Sequence, residues 1–241
     1  MENLLGEFLG TMFLIILGDG VVANVVLNKT KGNDSGWIVI TTGWAMAVMV
    51  GVFVSISAGA PQADINPAVT IGKWIILGEY GAAQAVMTML IQTAGAFVGG
   101  VIVFLAYFDH WGETPDPGAK LAVFSTGPAI RSTTWNFVTE TVGTMVLLIG
   151  VGAIFTGATA GSPAAGLGPY LVGSLVWGIG LSLGGPTGYA INPARDLGPR
   201  IAHQILPIPG KGDSDWGYGW IPVVAPLVGG VLGALVWNLV F

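Results

Sequence analysis

Asn66-Pro67-Ala68 and Asn192-Pro193-Ala194 repeat one tripeptide in the two halves of an apolar chain, each inside a loop of small residues. Asparagine is a favoured helix N-cap and proline a favoured first helical residue, so each triplet reads as a helix start, with the alanine allowing close approach. Two helix starts at corresponding places in a membrane protein point two positive dipole ends at one site. A single such triplet is more often an ordinary capped helix. Two in register with an independent repeat are not.

That repeat is present. Glu7-Phe8-Leu9-Gly10-Thr11-Met12 matches Glu140-Thr141-Val142-Gly143-Thr144-Met145 at an offset of 133, and the two triplets match at an offset of 126. The halves span about 1–110 and 135–241, joined by a Pro-, Gly- and charge-rich stretch at about 109–134 that reads as an exposed connection. The chain is 241 residues long, 53% hydrophobic and 9% charged, with 39 glycines. Its mean hydropathy is +0.75, and it carries far less charge than a soluble domain.

Six apolar runs reach or approach the roughly 20 residues that span a bilayer. They cover about 4–27, 37–58, 81–108, 136–155, 168–183 and 219–241. Two further helices, at 67–77 and 193–206, are too short to cross and read as half-helices that enter and stop. The fold class is therefore an all-α membrane protein of six transmembrane helices plus two re-entrant half-helices. Three spans per half is an odd number, so the second half enters from the opposite face and the repeat is inverted. The whole reads as one membrane domain over 1–241.

Half-helices from opposite faces meet near the midplane, where irregular backbone is tolerated only if buried in protein or lining a wet cavity. The loops at 57–65 and 184–191 then offer carbonyls in series along a pore, and the amides of Asn66 and Asn192 offer donors where the helices touch. Neutral hydroxylic solutes exchange hydrogen bonds along such a track, whereas cations meet two positive helix ends.

Arg195 follows the second triplet, and an intramembrane arginine is costly and usually functional. A pore-lining role competes with an ion pair to Asp196. Glu7 and Glu140 read as buried acceptors for loop amides, because a buried carboxylate without partners is expensive. Asp196, in the first turn of its half-helix, reads as a dipole partner that holds the loop. Trp37, Trp216 and Trp220 read as interfacial belt residues, while Trp44 lies farther inside its helix.

Gly18-Asp19-Gly20 resembles a dinucleotide turn only faintly, since no strand precedes it, and small residues there favour close helix packing. His110 and His203 are far apart in sequence and make no metal motif. Cysteine is absent, which excludes disulfides and thiolate metal sites. The formal charge of −5 and the lack of a basic cluster argue against a nucleic-acid partner. The N-terminus lacks a basic segment ahead of its spanning run, so the first helix is expected to remain in the mature protein. No cofactor, metal or catalytic constellation is expected.

With Asn66-Pro67-Ala68-Val69-Thr70, Asn192-Pro193-Ala194-Arg195-Asp196, the paired glutamates and Gln92-Thr93-Ala94-Gly95-Ala96, the chain resembles the major intrinsic protein family, the aquaporins and glycerol facilitators, over nearly its whole length. The resemblance implies a seventh pseudo-helix built from the two half-helices and a homotetramer in the cell membrane with one pore per subunit. It also implies a constriction at Trp44, Gly180, Tyr189 and Arg195. Glycine where water-selective members carry histidine, with Asp196 and Pro226-Leu227, looks like the glycerol-conducting branch.

The implied function is passive passage of glycerol and similar neutral solutes with water, excluding ions and protons. Water, undissociated lactic acid, dihydroxyacetone, urea and ammonia stay open as permeants. An ion-coupled transporter and an intramembrane enzyme rank lower, because Asp19 and Asp64 have no evident partner in the sequence and no nucleophile with a base is visible.

Three features depart from the family pattern. Asp64 stands where many members have histidine, the segment between Trp44 and Asn66 is two residues longer than in close glycerol facilitators, and Tyr189 replaces the usual phenylalanine. A cytoplasmic N-terminus follows the family. The lysines and arginines run against it, since Lys29, Lys31, Lys120 and Arg131 then face outside.

Overall fold

A computed structural model describes residues 3–156, 163–164 and 166–241, and the connection near Ser162 lies outside the described residues. Apolar side chains cover most of each long helix all round, the pattern expected where one face meets lipid and the other a protein core. These helices are α1 (Leu4–Val26), α2 (Trp37–Ser57), α4 (Ala82–Ala106), α7 (Thr133–Phe155), α8 (Leu167–Leu183) and α11 (Ile221–Val240). Between them lie the half-helices α3 (Pro67–Gly72) and α9 (Pro193–Ile205), and the short helices α5 (His110–Glu113), α6 (Pro117–Phe124) and α10 (Trp216–Gly219).

Among the described residues, five helical stretches are long and apolar enough to cross a membrane. The remaining spanning run, α8, is helical over 17 residues, or about 26 Å at the usual rise. Pro67 starts α3 as an ordinary α-helix, but its last turn, Lys73–Leu77, opens into a π-helical turn that Gly78 ends in a left-handed conformation.

Helix α1 packs on α2 and α4, α7 on α11 and α8, α2 on α8, α4 on α9, and α3 on α11. Glycines permit the tightest of these approaches. A Cβ at Gly230 on α11 would lie 2.2 Å from the carbonyl oxygen of Ala68 in α3, and one at Gly95 on α4 would lie 2.3 Å from that of Phe8 in α1. Both obstacles are backbone. Small residues of this kind let membrane helices touch main chain to main chain, where dispersion rather than water exclusion drives association.

The central connection differs from the exposed stretch that its composition predicts. Trp111, Val123 and Phe124 are fully buried, packed with Phe104 of α4, Leu27 and Ala202. Trp111 stacks between Phe104 and Phe124, and its indole Nε1 donates to the Phe104 carbonyl. Proline and glycine mark where the chain turns, not whether the aromatics between them are covered.

Candidate pore and its constrictions

The two triplets meet, and each asparagine is bonded to the residue that precedes the other triplet. Asn66 and Asn192 are extended N-caps whose side-chain oxygens accept from Ala68 N at 2.8 Å and Ala194 N at 3.0 Å. Their side-chain nitrogens cross over. Asn66 Nδ2 donates to Ile191 O at 2.9 Å, and Asn192 Nδ2 to Ile65 O at 2.8 Å. Each amide nitrogen carries two hydrogens, so one donor per asparagine is left. Both residues line a cavity of about 470 Å³.

The loops entering this junction are held in an unusual shape. Ala63, Ile65, Tyr189 and Ile191 have φ of 39°, 43°, 42° and 43°, a left-handed region that costs a non-glycine residue about 1–3 kcal/mol. Two buried carboxylates hold them there. Glu7 accepts from Asp64 N and Ile65 N at 2.8 Å each, and Glu140 from Ala190 N and Ile191 N at 2.9 Å each. Glu7 also takes the Gln92 amide at 2.7 Å and the Gln62 amide at 3.2 Å. With loop N–H groups drawn back onto carboxylates, carbonyls are left over. No protein donor among the described residues reaches those of Ala63, Asp64, Tyr189 or Ala190, and all four residues line the cavity.

Trp44, Tyr189 and Arg195 line the same cavity. The guanidinium carbon of Arg195 lies 4.0 Å from the centre of the Trp44 ring, a cation–π distance. Gly180 does not line the cavity. It backs Tyr189, for a Cβ there would come within 2.7 Å of Tyr189 Cζ. Trp37, placed by sequence in the interfacial belt, is partly exposed and also braces this corner: its ring meets Tyr189 edge-on at 5.8 Å and its Nε1 donates to Gly180 O at 3.1 Å. Trp216 and Trp220 are partly exposed.

Arg195 is not paired with Asp196. Asp196 binds Arg200, one helical turn on, at 2.7 Å and 3.0 Å, and accepts from both Thr126 N and Thr126 Oγ1 at 2.8 Å. Arg200 in turn donates to Thr126 O at 2.9 Å and Ser214 O at 2.7 Å. Asp196 and Arg200 are wholly buried, and they fasten the central connection and the segment after α9 to the second half-helix. The charge near Arg195 is Asp19 of α1, its Oδ1 3.8 Å from Arg195 Nη1.

Asp64 has three side-chain partners that the sequence does not disclose. It accepts from Thr70 Oγ1 at 2.8 Å, Lys73 Nζ at 2.8 Å and Tyr80 OH at 2.7 Å. Lys73 starts the π-helical turn, and with Glu79 at 3.8 Å it lines the cavity. His110 bonds the Asn28 carbonyl, and His203 is buried against Ser214 at the end of α9.

Arg200, Thr126, Lys73, Tyr80 and the Asp19–Arg195 approach carry no motif that marks them in the sequence. Only the first carries a local signal, the four-residue spacing of Asp196 and Arg200 on one helix face.

A family model described as Major intrinsic protein matches residues 1–237. The chain is 59% identical over 241 residues to a probable glycerol uptake facilitator protein of Thermotoga maritima, covering 100% of both chains. It is 54% identical over 237 residues to glycerol uptake facilitator protein 3 of Lactiplantibacillus plantarum, covering 98% of this chain and 96% of the relative. Its fold superposes on the X-ray structure of the aquaglyceroporin from Plasmodium falciparum with a TM-score of 0.86 at 30% identity, over 99% of this chain and 96% of the other.

Proposed function

Because the chain belongs to the major intrinsic protein family, we propose that it is a passive, multi-pass membrane channel for glycerol and similar small neutral solutes, with water as co-permeant. The observation that carries this reading is the corner of the cavity where the Arg195 guanidinium lies against the Trp44 ring beside Tyr189. Two aromatic walls receive the CH groups of a polyol, and a guanidinium, with five fixed donors and no acceptor, receives its hydroxyls. Beyond it the permeant passes the carbonyls of Tyr189 and Ala190, the free donors of Asn192 and Asn66, and the carbonyls of Asp64 and Ala63. A solute with several hydroxyls trades one hydrogen bond for the next along that path, so losing water costs it little.

Ions are excluded by the same parts. A cation meets Arg195 and two helix N-termini, each equivalent to about half a positive charge. The Asn66 and Asn192 amides, each oriented by its bond to the opposite loop, donate toward the cavity and break any chain of water molecules that could relay a proton. The two half-helix units belong to inverted repeats at about 1–110 and 135–241. In this reading four copies associate through part of their apolar outer faces, each keeping its own pore. A native mass of four chains after subtraction of bound detergent is the expected result, and a single-chain mass in mild detergent speaks against it.

Stopped-flow light scattering on proteoliposomes tests the channel. Glycerol enters rapidly, needs no ion gradient and only equilibrates. In Arg195→Val a charge-assisted hydrogen bond is lost, so the glycerol-to-water permeability ratio falls about tenfold or more, and a cation leak appears. Accumulation against a gradient points to a coupled transporter, and wild-type selectivity in Arg195→Val removes Arg195 from the constriction.

A further inference from the structure

Helix α1 supplies the constriction with two adjacent residues, one by lacking a side chain and one by carrying a carboxylate. A Cβ at Gly18 would lie 2.3–2.5 Å from Trp44 ring atoms, so the indole rests on the helix backbone there. The next residue, Asp19, is completely buried, and neither of its carboxylate oxygens has a hydrogen-bond partner. Such a group inside a membrane protein is expensive unless an opposite charge answers it. The cation that does so is Arg195, whose Nη1 is likewise sealed from solvent, without a hydrogen bond, and 3.8 Å from Asp19 Oδ1. The remaining acidic group near Arg195 in sequence, Asp196, is fully engaged by Arg200 and Thr126.

We propose that Asp19 is a positioning and specificity-determining residue of the constriction: it holds the Arg195 guanidinium against Trp44 from behind and cancels its charge toward the pore. The proposal rests on the reading of Arg195 as the filter cation. A guanidinium alone, backed by two helix N-termini, makes a site at which a small anion is held. With a carboxylate behind it, the same guanidinium keeps its directed donors but loses most of its net field. A neutral polyol needs only the donors. Asp19 thereby makes the filter select neutral hydroxylic solutes over anions, while the two helix N-termini go on opposing cations, and it fixes the angle at which hydroxyls meet the aromatic corner.

The test uses full-length protein in proteoliposomes, with water, glycerol and nitrate as probes, for Asp19→Asn, Arg195→Val and the double variant. In Asp19→Asn the glycerol-to-water ratio falls about tenfold, the size of a coupling between contacting residues, and nitrate entry rises above that of empty vesicles. In the Arg195→Val background the same change has no further effect, because Asp19 acts through Arg195.

An Asp19→Asn protein with wild-type ratio and no nitrate entry overturns the proposal. So does an equal effect of Asp19→Asn with and without Arg195, which a purely structural role in α1 would give. Where Asp19→Asn does not insert, recovery of insertion in the double variant supports the pairing, since it removes the unanswered guanidinium, and failure of both overturns it. Arg195→Val alone separates the two readings. If it keeps wild-type selectivity, the filter assignment fails irrespective of Asp19.

Discussion

Changing Gly180 to histidine together with Tyr189 to cysteine is expected to reduce glycerol permeability at least tenfold while water permeability stays within about a factor of two. The two positions have to change together. A Cβ at Gly180 would sit 2.7 Å from Tyr189 Cζ and 3.0 Å from its hydroxyl oxygen, so a histidine enters only when the tyrosine is shortened. The exchange removes one of two aromatic walls and puts a polar ring in its place beside Arg195. A permeant's carbon backbone then loses the surface on which it shed water.

At about 0.8 kcal/mol per buried carbon group, a three-carbon solute forfeits about 2 kcal/mol, roughly thirtyfold in rate. Water has no carbon to lose and still finds the guanidinium and the carbonyls. Stopped-flow measurement of both permeabilities decides it. Unchanged glycerol entry in well-inserted protein means that the corner formed by Trp44 and Tyr189 is not the constriction. Gly180→His alone is a useful contrast, for the clash lowers the yield of folded protein before it says anything about selectivity.

The parts of this molecule that could be read from sequence are those encoded locally or by repetition. A proline after an asparagine starts a helix wherever it stands, and both half-helices begin at the residues so marked. Hydropathy locates spanning helices well but not their ends. The run expected from 136 starts as a helix at Thr133, since threonine and tryptophan ahead of it are polar or interfacial yet helical. The run expected at 219–241 is interrupted after Gly219 and resumes at Ile221, with Pro222 in its first turn.

What sequence left hidden are pairings across long intervals. Asp19 meets Arg195, and Thr126 meets Asp196 and Arg200, only after α1, α9 and the central connection have packed. Asp64 reads as an unpartnered substitution because Lys73 and Tyr80 reach it through a π-helical turn that shifts helix register, which no pattern of apolar residues announces. The same applies to the second role of Trp37, which is exposed as a belt residue is. Its position near a helix start marks it for the interface, and only the return of α8 alongside α2 brings Gly180 and Tyr189 under its ring.

Replacing Glu140 with leucine is expected to be the most damaging single change in the second half of the chain. Glu140 is wholly buried, and its two oxygens are the acceptors for the amides of Ala190 and Ile191. Leucine fills the space but leaves both amides unpaired in an apolar interior, at about 1–3 kcal/mol each. That loss is a large share of the roughly 5–15 kcal/mol by which a folded domain is stable.

The change in shape matters more than the total. Tyr189 and Ile191 keep left-handed backbones because the two amides between their Cα atoms, Ala190 N and Ile191 N, are clamped; released, they relax toward ordinary φ and turn their carbonyls out of line. Tyr189 leaves the constriction in the same motion, and Ile191 O withdraws from Asn66 Nδ2, which ties the second loop to the first half-helix. Glycerol and water permeability should therefore fall together by at least tenfold, with thermal unfolding in detergent lowered by roughly 10 °C. This separates the effect from the Gly180 and Tyr189 exchange, which spares water.

Glu140→Gln is the informative control. Its single oxygen serves one amide while its NH2 faces the other, so half the clamp survives. An intermediate loss is expected, and equal damage from leucine and glutamine would mean that the negative charge, rather than the pair of hydrogen bonds, holds the loop.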